Sequence, residues 1–210
     1  MKKQYLTILS LFAFLLTSAI AVTSLNSCST LNALAGLSRA QFKLQDATTF
    51  SLAGINLTNK RSISDFSIMD GINLTKAFAT GKFPLTFTLN VAARNPNKPV
   101  PGSTMTDFKL NAFPWHLLID GRETISGNIG SPVALPDGGT TTIIPLQVTV
   151  DLKQFFAEKG YEDIINLATV LAGGEGVAKL QLKATPTVGT PIGNLKYPGE
   201  LTIVSTEFRN

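Results

Sequence analysis

The chain has 210 residues, of which 44% are hydrophobic, 8% aromatic and 15% charged. So small a charged fraction, against roughly 25% in an average soluble domain, excludes a disordered or coiled-coil protein. The formal charge of +4 falls to +2 once Lys2 and Lys3 are set aside with a removable leader, leaving 18 basic side chains less those two against 14 acidic ones, so no charge-driven nucleic-acid binding is expected. One cysteine excludes a disulfide framework, and one cysteine with one histidine excludes almost every zinc pattern, so no metal or other cofactor is expected.

Met1 to Val22 reads as a secretory signal: Lys2 and Lys3 precede an apolar run from Leu6 to Val22, and no charge follows until Arg39. Two exits compete. Ala19-Ile20-Ala21 fits an ordinary cleavage site, whereas Leu25-Asn26-Ser27-Cys28 resembles the bacterial lipobox, in which the cysteine is lipidated and becomes the new N-terminus. The lipobox is favoured because the only cysteine stands just past the apolar run; Asn26 is a less usual occupant of its position. An uncleaved anchor is a third reading, but a span needs about 20 apolar residues. The division is therefore a lipoprotein signal peptide over residues 1–27, a tether over 28–41 and one domain over 42–210. Ser29 after Cys28, with no aspartate or acidic tract, resembles lipoproteins sent to the outer membrane and facing the periplasm.

Leu31, Leu34 and Leu37 recur every third residue, so the tether is expected to be one or two helical turns. From Phe42 the period becomes two. Phe42 and Leu44 alternate with Lys43 and Gln45, and Phe83, Leu85, Phe87, Leu89 and Val91 alternate with Pro84, Thr86, Thr88 and Asn90, which marks strands with one buried face. Further strands are expected over residues 105–110, 115–119, 122–129, 141–150, 177–184 and 201–208. Asp120-Gly121 signals a hairpin turn, and Asn95-Pro96-Asn97, Asp137-Gly138-Gly139 and Pro198-Gly199 signal loops. Pro96 lacks a ladder donor and restricts Asn95 to extended geometry, so Asn95-Pro96-Asn97 is read as a strand stop.

Asp151 to Ala172 breaks the pattern. Leu152, Phe155, Phe156, Ile164, Ile165, Leu167, Ala168 and Leu171 are spaced by threes and fours, with Asp151 as N-cap, Gly160 dividing two helical pieces and Gly173-Gly174 as the stop. Its apolar residues exceed one narrow stripe, so it is expected to dock on an end or edge of the sheet and cover the core, with Phe155 buried. Gly54-Ile55-Asn56-Leu57-Thr58 recurs as Gly71-Ile72-Asn73-Leu74-Thr75, and both copies are expected to be strand ends entering turns. The fold class is mainly β: an antiparallel β-sandwich with one helical insert in the C-terminal third.

Four motifs in order, Leu89 to Asn97, Trp115 to Gly121, Ile125-Ser126-Gly127, and Val133 to Gly139 followed by Ile144-Pro145-Leu146, resemble the late-embryogenesis-abundant type 2 family, built on the WHy (water stress and hypersensitive response) domain. Pro114, just before Trp115, departs from that pattern and suggests a bulge or edge. The resemblance implies an immunoglobulin-like or fibronectin-III-like sandwich and a protective role in stress. It singles out Asn95, Pro96, Asn97, Asp120, Gly121 and Gly127, which are read as structural.

No catalytic set stands out. His116, the only histidine, lies between Trp115 and Leu117 in a strand pattern, and Gly173-Gly174-Glu175-Gly176 lacks the lysine and hydroxyl of a phosphate loop. Glu158, Glu162 and Asp163 read as the solvated side of the helical insert. The expectation is a non-enzymatic, lipid-anchored envelope protein acting as a binding or stress-protective module. The alternatives are an assembly partner for another envelope protein and a carrier of a lipid or hydrophobic ligand.

Overall fold

A computed structural model of the chain describes residues 35–98, 108–174, 176–190 and 193–203. A helical turn over residues 35–37 leads into β1 (Gln41–Leu52), β2 (Ile55–Asn56), a 3-10 turn (Ile63–Asp65) and α1 (Ile68–Ala79). Then come β3 (Pro84–Arg94), β4 (Phe108–Ala112), β5 (Trp115–Ile119), β6 (Arg122–Gly127), β7 (Val133–Leu135) and β8 (Thr141–Asp151). The chain continues through α2 (Leu152–Phe155), α3 (Tyr161–Leu171), β9 (Leu180–Ala184), β10 (Thr187–Thr190), β11 (Gly193–Lys196) and β12 (Leu201–Ile203).

The strands form an antiparallel β-sandwich. One sheet runs β2-β1-β3-β8, and its centre is the 11-residue pairing of β3 with β8, from Pro84 opposite Asp151 to Arg94 opposite Thr141. Leu85, Phe87, Leu89 and Val91 point inward and are almost fully buried, while Thr86, Thr88 and Asn90 point outward, as the period of two requires. The other layer is two four-stranded sheets, β11-β10-β4-β7 and β12-β9-β5-β6, whose orders match strand for strand. β4 becomes β5 across Phe113-Pro114, β9 becomes β10 across Thr185-Pro186, β11 becomes β12 across residues 197–200, and β6 becomes β7 across residues 128–132. Hydrogen bonds cross the break from Thr185 N–H to the Pro114 carbonyl at 3.0 Å and from Tyr197 N–H to the Pro186 carbonyl at 2.8 Å. The two halves are one layer, kinked where Pro114 stands.

One core lies between the layers. It contains Leu44, Phe50 and Leu52 of β1, the inward residues of β3 and β8, and Leu110, Trp115, Leu117, Ile119, Leu182 and Val188 of the kinked layer. Rings meet within it: Phe42 of β1 and Phe113 of the kinked layer lie 5.5 Å apart across the core, and Phe50 of β1 stacks on Phe87 of the neighbouring β3 at 4.8 Å. The end of the tether joins the domain, since Leu37 is 0% and Ala40 7% exposed and β1 opens at Gln41.

The helical insert closes one end. Asp151 caps α2 by accepting from Lys153 N–H at 3.1 Å, Gly160 opens α3, and Ile164, Ile165, Leu167 and Ala168 of α3 enter the core. Phe156, at 2% exposure, is the buried aromatic of this segment, whereas Phe155 is half-buried, contrary to expectation. The reason is the end of α2: only Phe156 is turned inward as the chain leaves the helix. Glu158 is paired, accepting from Arg122 at 2.8 Å.

Three further expectations are corrected. The second Gly-Ile-Asn-Leu-Thr copy is not a strand end but lies inside α1, while the first forms the β1–β2 hairpin, with Ala53 and Gly54 at φ 47° and 86°. The difference lies upstream of the shared residues: Ser67 and Asp70 form a reciprocal capping box that starts α1. β10 and β11 occupy a Thr- and Gly-rich stretch with no apolar alternation. Strand limits also move: β9 begins at Leu180, β6 ends at Gly127, and β4 is Phe108–Ala112, with residues 105–107 and 204–208 of the expected strands outside the described residues.

Gly127 ends β6 opposite Trp115, and a Cβ placed on it would stand 2.4 Å from Trp115 Cζ2. The indole lies across the space a side chain would fill. Gly127→Ala should therefore lower stability by about 1 to 3 kcal/mol, as overpacking does, while Gly130→Ala, with open space around it, should be near neutral; urea unfolding of both variants checks this.

Hydrogen bonds from the Ser67 backbone and then from Lys60 and the Ser67 hydroxyl hold the Asp70 carboxyl below its ordinary 3.8. A lowered carboxylate contributes stability that is present above the unfolded value and lost as the pH falls through the folded one. Asp70→Asn should thus show a smaller drop in Tm than the parent between about pH 6 and about pH 3.

Candidate functional site

The lipobox residues Leu25, Asn26 and Ser27 and the lipidation candidate Cys28 lie outside the described residues. Of the expected motif residues, Asn95, Pro96 and Asn97 form a junction at one end of the sandwich. β3 ends at Arg94, and Pro96 forbids continuation of its ladder. Asn95 is 0% and Asn97 6% exposed, so each amide must find partners inside the protein.

They do so by joining four segments. Asn95 Nδ2 donates to the Leu135 carbonyl of β7 at 3.0 Å, and Asn95 Oδ1 accepts from both the backbone N–H and Nδ2 of Asn97, at 3.2 and 2.8 Å. Asn97 Nδ2 also donates to the Gly36 carbonyl at 3.0 Å, which ties in the turn before β1. The carbonyls of Asn95 and Asn97 accept from Gly139 and Gly138 N–H, each at 2.8 Å, and Arg94 Nε returns a bond to the Gly139 carbonyl at 2.7 Å. Gly138 and Gly139 adopt φ of 76° and 82°, which glycine supplies without steric cost. The Asp137-Gly138-Gly139 turn is thus shaped to present two consecutive N–H groups to Asn95 and Asn97.

Asp120 and Gly121 form the two-residue β5–β6 turn, with φ of 50° and 77°. This is the left-handed pair that a tight hairpin demands and that Asp-Gly tolerates. The Asp120 carboxylate accepts from Lys179 N–H at 2.8 Å and its own N–H donates to the Lys179 carbonyl at 2.9 Å, binding the hairpin tip to the entry of β9. It lies far from the asparagine junction, at the other end of the kinked layer. The structure therefore assigns the six motif residues to three places: the junction, the hairpin tip and the Trp115 seat at Gly127.

His116 stands on the outer face of β5 with its side chain 44% exposed, Nδ1 3.3 Å from Glu123 Oε1 and Ser126 opposite it in the register. The residue types of a charge-relay set share one open sheet face, but no hydrogen bond joins Ser126 to the imidazole among the described residues. Among those residues there is also no group of three His, Cys, Asp or Glu side chains able to hold a metal ion. A cleft of about 220 Å³ beside β1 is lined by Thr48, Thr49, Phe50, Thr58 and Ala172, which is below the usual small-molecule site of roughly 300 to 1,000 Å³. Thr49 there has φ 55°, costly for a β-branched residue, where β1 bulges between Thr48 and Ser51. Sequence reasoning missed this bulge because Ala47-Thr48-Thr49 carries no glycine to announce it.

No family model matches the chain, and no curated protein matches it. Among solved structures, a protein from Archaeoglobus fulgidus is similar at 15% identity and a TM-score of 0.31, over 60% of this chain and 88% of that one.

The buried amides make the junction testable. Asn95→Ala removes the acceptor of two Asn97 donors and the donor to Leu135 while leaving those groups buried. It should lower unfolding stability by about 1 to 3 kcal/mol and loosen residues 36–41, read as faster amide exchange there than in β3.

Proposed function

We propose that the protein is a lipid-anchored envelope protein, held at the periplasmic face of the outer membrane through Cys28, whose sandwich acts as a binding or stress-protective module of the late-embryogenesis-abundant type 2 kind and not as an enzyme. The lone cysteine after the apolar run and the order of the four motifs support this reading. The observation that carries it furthest is the fastening of Gly36 to Asn97 of the asparagine junction, with Leu37 beside it buried in the core. Only residues 29–35 separate Cys28 from Gly36, a stretch of about 27 Å at full extension. A short tether whose far end is locked to the fold holds the junction end towards the membrane. The helical end then faces away, because the 11 residues of β3 set the two ends roughly 33 Å apart.

The outward surface of the first sheet suits a solvent-facing module. Ser51, Thr86 and Thr149 stand in one row of the register and Thr48, Thr88 and Gln147 in the next, all neutral hydrogen-bonding groups. An assembly role is the second reading, favoured by the apolar outer face of α1, where Ile68 is 87% exposed.

Cys28→Ser should move the protein from the membrane fraction to the soluble fraction. Retention in the membrane with Met1 uncleaved would replace the lipoprotein reading with a transmembrane anchor. Native mass spectrometry of the detergent-extracted parent separates the remaining roles, since a stoichiometric co-purifying lipid would favour the carrier.

A further inference from the structure

Helix α1 is turned the wrong way round for a helix that merely covers a core. Its inner face offers Leu74 as the one buried residue, with Ala77 and Phe78 packed against the core beside it. Its most apolar side chains are outside: Ile68 is 87%, Met69 64% and Ile72 56% exposed. Three such neighbours on one helix form a patch of the kind that marks an interaction site.

We propose that this face docks on the same face of a second copy of the chain, with the two α1 helices antiparallel about a two-fold axis. The outer face carries Ile68, Ile72, Thr75 and Ala79, spaced by four, three and four, which is the a/d spacing of a helix-pairing seam. The seam is large at its N-terminal end and small at its C-terminal end. Antiparallel pairing sets Ile68 against Ala79 of the other copy and Ile72 against Thr75, so every large residue meets a small one. Parallel pairing would oppose isoleucine to isoleucine and leave a gap between the small pair. Met69 and Lys76 flank the seam on one side, so antiparallel pairing lays the Lys76 stem over Met69 with its ammonium in water.

The placement favours a protein over a lipid surface. α1 leaves β2 and enters β3 at the end of the sandwich opposite the asparagine junction, where the chain arrives from the tether. A two-fold pairing is closed and uses one patch on both copies. The contact is small: 12 residues make a helix of about 18 Å, which belongs with interfaces below about 1,200 Å² in total and gives a reversible dimer. The strength of the contact, though not its geometry, rests on the lipid anchor, since confinement to a membrane raises the effective concentration.

Oxidative cross-linking of the full chain in isolated membranes, before any extraction, tests the arrangement, with the parent supplying the background from Cys28. The two-fold axis crosses the helices between residues 73 and 74, so two copies of residue 72 are offset by about 4.5 Å along the helix direction and two copies of residue 68 by about 16.5 Å, the latter beyond the reach of a disulfide. Ile72→Cys should therefore cross-link to itself and Ile68→Cys should not, while a mixture of Ile68→Cys and Ala79→Cys should give a mixed dimer. Light scattering should show the parent shifting towards dimer mass with concentration and Ile72→Glu staying monomeric. No cross-linking above background overturns the proposal, as does equal self-cross-linking of Ile68→Cys and Ile72→Cys, which would mean parallel helices. Binding of the parent but not Ile72→Glu to phosphatidylethanolamine and phosphatidylglycerol vesicles, without cross-links, would assign the face to a lipid surface instead. Cys28→Ser fractionation tests the anchor separately, so either reading can fail alone.

Discussion

The kinked layer depends on a line of four prolines. Pro114, Pro132, Pro186 and Pro198 fall one in each break between the paired strand halves, so four adjacent strands lose a ladder donor at nearly the same level. A sheet cannot run flat through such a line. The hydrogen bonds that remain come from the neighbours: Thr185 and Tyr197 donate to proline carbonyls, and Asn128 Oδ1 accepts from Phe113 N–H at 2.6 Å in place of a backbone partner. The bend wraps the layer around the β1-β3-β8 sheet and encloses one core. Trp115, the first residue beyond the bend in β5, fills the angle, which is why Gly127 opposite it has no room for a Cβ.

The asparagine junction fastens the end of the sandwich that the bend leaves open. Apolar packing cannot do this, because the backbone of the chain entry, the end of β3 and the turn before β8 all bring polar groups inside. Two buried amides satisfy them with donors and acceptors in matched pairs, and such a network is stable only when complete. This accounts for Asn at both positions around Pro96. Aspartate would lose the donors to Leu135 and Gly36, and leucine would lose every bond that Asn95 and Asn97 make through their side chains.

How much of this was legible in the sequence follows from where each residue points. Strands with one buried face announce themselves, so β3, β5 and β8 could be placed from alternation alone, and Asp120-Gly121 named its own hairpin. The helical insert was legible because its apolar residues face inward. α1 was not, since Ile68, Met69 and Ile72 face outward and Gly71 interrupts the helix-forming run; the Ser67 to Asp70 box that starts it was the one local signal, and it went unread. The shared Gly-Ile-Asn-Leu-Thr segments make the same point. Leu57 and Leu74 are both buried, one following a hairpin and one on a helix, so burial of that leucine is common to both while the flanks decide the backbone. Of the site, the Asn-Pro-Asn stop was readable, but that its amides would bond to Gly36 and Leu135, some 60 and 40 residues away, is tertiary information with no local signature.

The sheet edges decide by what means this domain can meet another. β8 is an edge strand of 11 residues among the described residues, long enough to template a further strand. Pro145 stands in its middle, opposite Asn90. A proline there has no N–H to offer the open side, so the edge presents two short runs in place of one. At the other edge β2 pairs only Ser51 and Leu52, so β1 is itself the edge over most of its length, and its bulges between Leu44 and Asp46 and between Thr48 and Ser51 break the regular run a further strand would need. Backbone addition to this sheet is thereby discouraged at both sides, and among the described residues the exposed apolar side chains gather most closely on α1, at Ile68, Met69 and Ile72. Contacts made through a helix face depend on residue identity, whereas strand addition accepts many sequences. A domain with blunted sheet edges and a selective helix face at the end away from the asparagine junction is built to choose its contacts by shape.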